Sequence, residues 1–302
     1  MLTAAIAENN KKKMGMHAQT VFGQTILGII LLLVAATVIL PFLYVLVVSF
    51  TDPSVYISGT VYFWPKKWSA KAYQLILSGS GFLNALKSTL FITLIGTPLN
   101  VLFNAGLGYM LSKPVPGKKF VNKAVMFTML FGAGMVPTYM NMANLGLINS
   151  WWACILPSTC GAWTVMVMKS FFESIPKELE EAATIDGCGQ LRIFAVIVLP
   201  LSMAMLATFT LFAFVSYWNT YFSAIMYLTS SAKAPLQVYV QKIVLSTTIS
   251  DVVDLANELS KEVPQEIMRM AAVIVVVLPV VCVYPFLQKY FASGVMVGAV
   301  KG

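Results

Sequence analysis

Long stretches without a charged residue set the pattern of this chain. Residues 14–51, 88–112, 124–168, 193–232 and 270–288 contain no Asp, Glu, Lys or Arg, and short polar segments separate them. A helix rises about 1.5 Å per residue, so crossing about 30 Å of hydrocarbon takes roughly 20 uncharged residues. The 124–168 window has a turn-like centre, Asn144-Leu145-Gly146-Leu147-Ile148-Asn149-Ser150, and divides there into two spans. The 193–232 window has no comparable Gly/Asn cluster and reads as one long span with interfacial ends. The pattern predicts an all-α, polytopic membrane protein with six transmembrane helices.

Boundaries follow from the same pattern. Residues 1–24 read as an N-terminal tail, 25–292 as the six-helix domain and 293–302 as a C-terminal tail. External segments are expected at about 51–83 and 229–268, and a polar loop on the opposite side at about 173–192. Two segments too polar to span show helical periodicity. Residues 69–77 place Ala70, Tyr73, Leu75, Ile76 and Leu77 for a short amphipathic helix. Residues 250–261 set Val252, Val253, Ala256 and Leu259 on one face, with Asp251, Asp254 and Glu258 elsewhere and Pro264 ending the run, which reads as a lid on the bundle.

Composition agrees with a bilayer. Of 302 residues, 58% are apolar and 11% charged, where soluble domains have roughly 45–50% and about 25%. A net charge of +8 spread this thinly excludes a nucleic-acid binder and serves instead to orient the chain. With six spans, 12 of the Lys and Arg fall in segments facing the cytoplasm and 8 outside. The loop from Ser112 to Lys123 carries four lysines while the turn from Asn144 to Ser150 carries none, so both termini are expected to be cytoplasmic. The first apolar run, Thr25 to Phe50, is too long for a cleaved signal peptide.

Chemistry is scarce. Cys154, Cys160, Cys188 and Cys282 show no C-x-x-C spacing, and the single histidine, His17, lies in the N-terminal tail, which disfavours a zinc site or a disulfide framework. There is no G-x-x-x-x-G-K-[ST] loop for a nucleotide and no Ser/His pair for catalysis, so no catalytic, cofactor or metal residue is assigned.

The most informative loop runs from Ser174 to Gly189. Ser174 can cap a helix, Pro176 suits its first turn, Glu178, Glu180 and Glu181 lie near its positive end, and Gly187 can terminate it in the left-handed conformation. Leu179, Ala182, Ala183 and Ile185 are then left partly uncovered. Glutamates are repelled by an anionic leaflet, so a protein partner explains this helix better than lipid does.

These residues carry a family resemblance. Glu181-Ala182-Ala183, Asp186-Gly187 and then Phe194, Ile197, Leu199 and Pro200 resemble the EAA loop of ATP-binding-cassette importer permeases, departing only at Ala204, where the family often has proline. Phe131 to Tyr139, Ser216-Tyr217-Trp218-Asn219, Pro235-Leu236-Gln237 and the tail Gly294 to Gly302 are similar to the carbohydrate branch, specifically the maltose-type second permease and relatives for complex oligosaccharides. The resemblance implies a type I importer fold in the bacterial cytoplasmic membrane, working with a second permease, two ATPase subunits that bind ATP and Mg, and an extracytoplasmic binding protein. It assigns ATPase coupling to Leu179, Glu181, Ala182, Ala183, Ile185, Asp186 and Gly187, with Glu181 the polar contact, the alanines close approach and Gly187 the turn. The 250–261 segment gains a second reading as a dock for the binding protein.

A solute path needs irregular or polar lining. Gly132, Gly134 and Pro137 break the third span, and Gly106 and Gly108 lie in the second; small residues also serve simply to pack helices. Amides and aromatic rings suit sugar hydroxyls and C–H faces, which selects Asn104, Tyr139, Asn141, Trp218, Asn219 and Tyr221, with Asn100 beside them. The competing role for each is interhelical bonding or an interfacial belt. The alternative function is a stand-alone secondary transporter or channel. The charge-free spans offer an ion-coupled carrier no ionisable groups.

Overall fold

The structure is a computed structural model that describes residues 2–245 and 263–299. The 250–261 segment, with Glu258, lies outside the described residues. Among those described, the chain is helical, and its one extended pairing is the antiparallel bridge between Thr51 and Trp68.

Helix α1 runs unbroken from Leu2 to Ser49, so the segment read as an N-terminal tail continues the first helix. After a 3₁₀ turn at Pro53–Val55, α2 (Lys71–Ser78) forms where the amphipathic pattern predicts it, and α3 (Ser80–Ser112) follows directly. α1 over Gly23–Ser49, α3, and the last helix, α13 (Gln265–Ala299), over Gln265–Val283 are each long and apolar enough to cross a membrane.

Between them the expected spans are broken. The third is α4 (Lys118–Leu130) and α5 (Met135–Asn144), bent by 120°. The break falls where the glycines predict: Gly134 has φ +84° and ψ 176°, a region that side chains with a Cβ avoid. The fourth is divided into α6 (Trp152–Ile155), a 3₁₀ turn (Leu156–Ser158) and α7 (Ala162–Glu173). Among the described residues, length and composition support up to five crossings, each bent pair counted once, where the sequence pattern predicts six.

The fifth is not the single long span its pattern suggests. After α8 (Lys177–Ile185), the helix α9 (Gln190–Leu201) meets α10 (Met203–Trp218) at 85°. Pro200 has no N–H to give the ladder, a π-helical turn occupies Phe194–Val198, and the Ser202 hydroxyl bonds back to the Val198 carbonyl at 2.7 Å. The helix stops again at Trp218, before α11 (Phe222–Tyr227) and α12 (Leu236–Leu245).

α3 is the axis of the bundle. It packs on α7 at Gly108, where an added Cβ would stand 3.1 Å from Met168 Cβ and 3.2 Å from the Val165 carbonyl, so the glycine sets the approach of the two backbones. Gly96 does the same for α10, whose Tyr217 ring would lie 2.9 Å from such a Cβ. One apolar cluster joins the end of α1, α2, the start of α3, α12 and the start of α13. A second, at the other end of α3, gathers Tyr109, Met168, Phe172, Ala183, Ile193 and Val198 beneath α8.

Candidate functional site

Helix α8 is built as a rigid projection. Pro176 sits at its N-cap and Glu178 and Glu180 occupy the first turn, where they complement the dipole. Ser174 does not cap it: its hydroxyl donates to the Phe171 carbonyl at 2.7 Å and closes α7 instead. At the C-terminus Gly187 adopts φ +81°, its amide donates to the Thr184 carbonyl at 3.0 Å, and the Cys188 amide donates to the Ala183 carbonyl at 2.9 Å. Those two bonds are a Schellman closure, and Cys188 packs on the same cluster as Ala183.

The seven residues expected to couple separate into two sets. Ala183, expected to give close approach to a partner, is buried here in the cluster of Tyr109, Phe172 and Ile193. Leu179, Glu181, Ala182, Ile185, Asp186 and Gly187 are exposed. Ile185 is 86% exposed, and Leu191 just beyond it is 85% exposed.

Two residues that sequence reasoning did not assign, Lys113 and Tyr109, hold α8 in place, and a third, Glu173, ties α7 to α4. Lys113 pairs with Glu180 and lies over the Tyr109 ring, 4.6 Å from its centroid. Tyr109 stacks on Phe194 at 4.7 Å and meets Phe172 edge-on at 5.8 Å. Glu173 receives Lys118 at 3.4 Å and Lys169 at 3.6 Å. The lysine-rich loop from Ser112 to Lys123 carries the signal for two of these pairs, through Lys113 and Lys118. A cavity of about 1060 Å³ opens among Tyr109, Lys113, Phe172, Glu180, Gln190 and Phe194.

The polar residues selected for a solute path do not converge. Asn104 is fully buried, donating to the carbonyls of Asn100 at 2.6 Å and Thr159 at 3.1 Å and accepting from the Gly161 amide at 2.9 Å. Asn100 donates to Ser158 O at 2.7 Å. Both clamp the break between α6 and α7, and Trp218, buried, donates from Nε1 to Val276 O at 3.1 Å. These three therefore act as interhelical bonds. Asn219 and Asn141 are exposed, Tyr221 is half-buried, and Tyr139 stacks on Tyr227 with centroids 6.1 Å apart. Gln237, not selected from the sequence, donates to Asn219 Oδ1 at 2.7 Å.

At the end of the bundle opposite α8, Asp52 accepts from the Ser54 hydroxyl at 2.6 Å and amide at 2.9 Å and pairs with Lys67 at 3.2 Å. These partners, Ser54 first, hold its carboxyl down to about 2. Tyr56, partly buried and bonded to Glu266, has its phenol pushed up.

Known proteins share this arrangement. The chain is 40% identical over 275 residues to the polygalacturonan/rhamnogalacturonan transport system permease protein YtcP of Bacillus subtilis, covering 90% of this chain and 96% of that protein. It is 38% identical over 272 residues to Protein LplC of the same organism, covering 89% and 91%. A chain in the crystal structure of a bacterial ABC transporter involved in import of the acidic polysaccharide alginate superposes with a TM-score of 0.83 at 32% identity, over 91% of this chain and 98% of that one. Residues 14–297 match the family model, so the chain belongs to the binding-protein-dependent transport system inner membrane components, as a non-catalytic membrane subunit.

Proposed function

We propose that this chain is one of two permease subunits of an ATP-driven oligosaccharide importer in a bacterial cytoplasmic membrane. It receives solute from an extracytoplasmic binding protein, forms the path with a second permease, and docks an ATPase through α8. The observation that carries the docking is the division of α8 into a buried anchor, Ala183, and an exposed apolar face, Leu179, Ala182 and Ile185, set among Glu178 and Glu181. A helix so fixed transmits movement, because a loose joint would let the ATPase close without shifting the spans.

An oligosaccharide is supported by relatives named for polygalacturonan and alginate, and by one named for melibiose, raffinose and stachyose that is 30% identical over 301 residues. Acidic and neutral sugars both stand among them. The exposed Asn219–Gln237 pair and Tyr221 offer hydroxyl contacts and a ring face on this side of the path. Family membership weighs against the stand-alone carrier, since the family is one of components that depend on a binding protein. ATP and Mg belong to the ATPase subunits.

Co-purification tests the assignment: the tagged chain should elute with a second permease and an ATPase, and the reconstituted complex should take up labelled oligogalacturonate or a neutral oligosaccharide. Elution alone, with ion-driven uptake of a small solute, would refute it.

A further inference from the structure

The loop between α1 and α2 carries large apolar side chains turned out of the fold. Phe63 is 87% exposed, Trp64 71% and Trp68 55%, and Ile57 and Val61 on the same loop are exposed as well. The loop itself is well held. Tyr62 is buried, stacks on Tyr56 with centroids 5.5 Å apart, and accepts the Ile57 amide at 2.7 Å. Glu266 at the start of α13 accepts from both Tyr56 and Ser58, and the Asp52 and Ser69 amides donate to Lys67 O at 2.9 Å and Phe50 O at 2.8 Å. The rings are thus presented by a fixed frame.

Their position indicates what they meet. Trp68 lies 5.9 Å from Phe50, the residue that follows α1, and 5.4 Å edge-on from Trp64. The patch therefore starts at the level where the exposed apolar surface of α1, Leu27 to Leu46, ends. Two exposed lysines, Lys66 and Lys67, stand between the tryptophans. An indole has an apolar body and a single N–H, which suits the boundary of hydrocarbon and water; the Lys67 ammonium is held by Asp52, and the Lys66 stem can lie along apolar surface with its ammonium toward phosphate.

We propose that residues 57–68 form an interfacial anchor that seats Phe63, Trp64 and Trp68 among the headgroups and first methylenes of the phospholipid leaflet at this end of the bundle. The patch adjoins the end of the membrane-crossing surface of α1 through the Phe50–Trp68 contact, which selects lipid over a protein partner as its occupant. Through Glu266 the anchor also fixes the start of α13. The inference rests on the membrane placement of the family and is independent of which solute is carried.

Phe63→Cys, placed in a chain whose four native cysteines are serine and labelled with bimane, reads the environment in the assembled complex in lipid nanodiscs. Quenching by phosphatidylcholine spin-labelled near the headgroup end of its acyl chain should exceed quenching by aqueous iodide by about twofold or more, and should not change when binding protein is added. Stronger quenching by iodide, or shielding only by the binding protein or the second permease, overturns the proposal. If the cysteine-free chain fails to assemble, the native chain is compared with Trp64→Phe/Trp68→Phe in brominated lipid: the native chain should lose the larger share of its tryptophan emission, and an equal share overturns the proposal.

Discussion

The Cys188 amide reaches back across Gly187 to the carbonyl of Ala183 at 2.9 Å, so the turn that ends α8 is hydrogen-bonded to the residue that anchors it. Gly187 holds φ +81° with open space where a Cβ would stand, which makes the demand on this position one of backbone conformation alone. Gly187→Val should cost about 1 kcal/mol or more and loosen the exit of α8, while Gly187→Asn, which tolerates the left-handed region, should cost less. Uptake by the reconstituted complex should fall in the order wild type, Asn, Val, with the permease still inserted. Equal uptake in all three would show that the turn does not matter to coupling.

Neighbouring alanines should fail in different ways. Ala183→Arg forces a charge into the cluster of Tyr109, Phe172 and Ile193 and should destabilise the permease by about 2 kcal/mol or more, lowering its unfolding temperature. Ala182→Arg lies on the exposed face and should leave that temperature unchanged while releasing the ATPase. Thermal unfolding of the purified permease and ATPase retention on an affinity column separate the two.

Asn104→Ala should act on stability rather than on solute choice. It removes the acceptor of the Gly161 amide and a donor to Thr159 O, an expected cost of about 1–3 kcal/mol for buried groups left unpaired. The ratio of uptake rates for two oligosaccharides should stay at its wild-type value while the amount of folded permease falls. A changed ratio would return Asn104 to the solute path.

Asp52 gives a pH dependence of definite sign. Its carboxyl is held at about 2 in the fold, below its ordinary 3.8, so it stabilises the loop fully above the ordinary value and loses that contribution as pH falls toward about 2. The stability difference between wild type and Asp52→Asn should be constant from neutral pH to about 5 and shrink on further acidification. Tryptophan-detected unfolding at stepped pH measures it.

Orientation follows from the lysine distribution. In intact cells an impermeant maleimide should label Lys67→Cys and miss Glu181→Cys and Lys118→Cys, both of which should react after permeabilisation. Labelling of position 181 from outside would invert the topology.

What the sequence shows and hides follows the range of the forces involved. The Asp186-Gly187 end of α8 and the break at Gly134 were legible because a positive φ is demanded locally and glycine announces it. The bend at Ser202 was hidden, since Pro200 near the start of a helix reads as tolerable and the deciding bond runs from Ser202 back to Val198. Ser174 shows the same limit: one hydroxyl faced two helix ends and closed the earlier one. Asn104 and Trp218 looked like sugar ligands because nothing local reveals that their partners are Gly161, 57 positions away, and Val276, 58 away. Asn219 is exposed and bonds to its own helix at Val215 and to Gln237, while Tyr221 is half-buried.

Two separate groups of ion pairs stand at this end of the bundle. Lys113 ties Glu180 to the end of α3, while Glu173, on α7, holds both Lys118 at the start of α4 and Lys169 one turn away. α8 is thus tied by an ion pair to the end of α3, and α3 lies in backbone contact with α7 at Gly108. In the coupling proposed above, a displacement of α8 would reach α3 through Lys113 and pass to α7 across the Gly108 contact, so that the two helices would move as a pair.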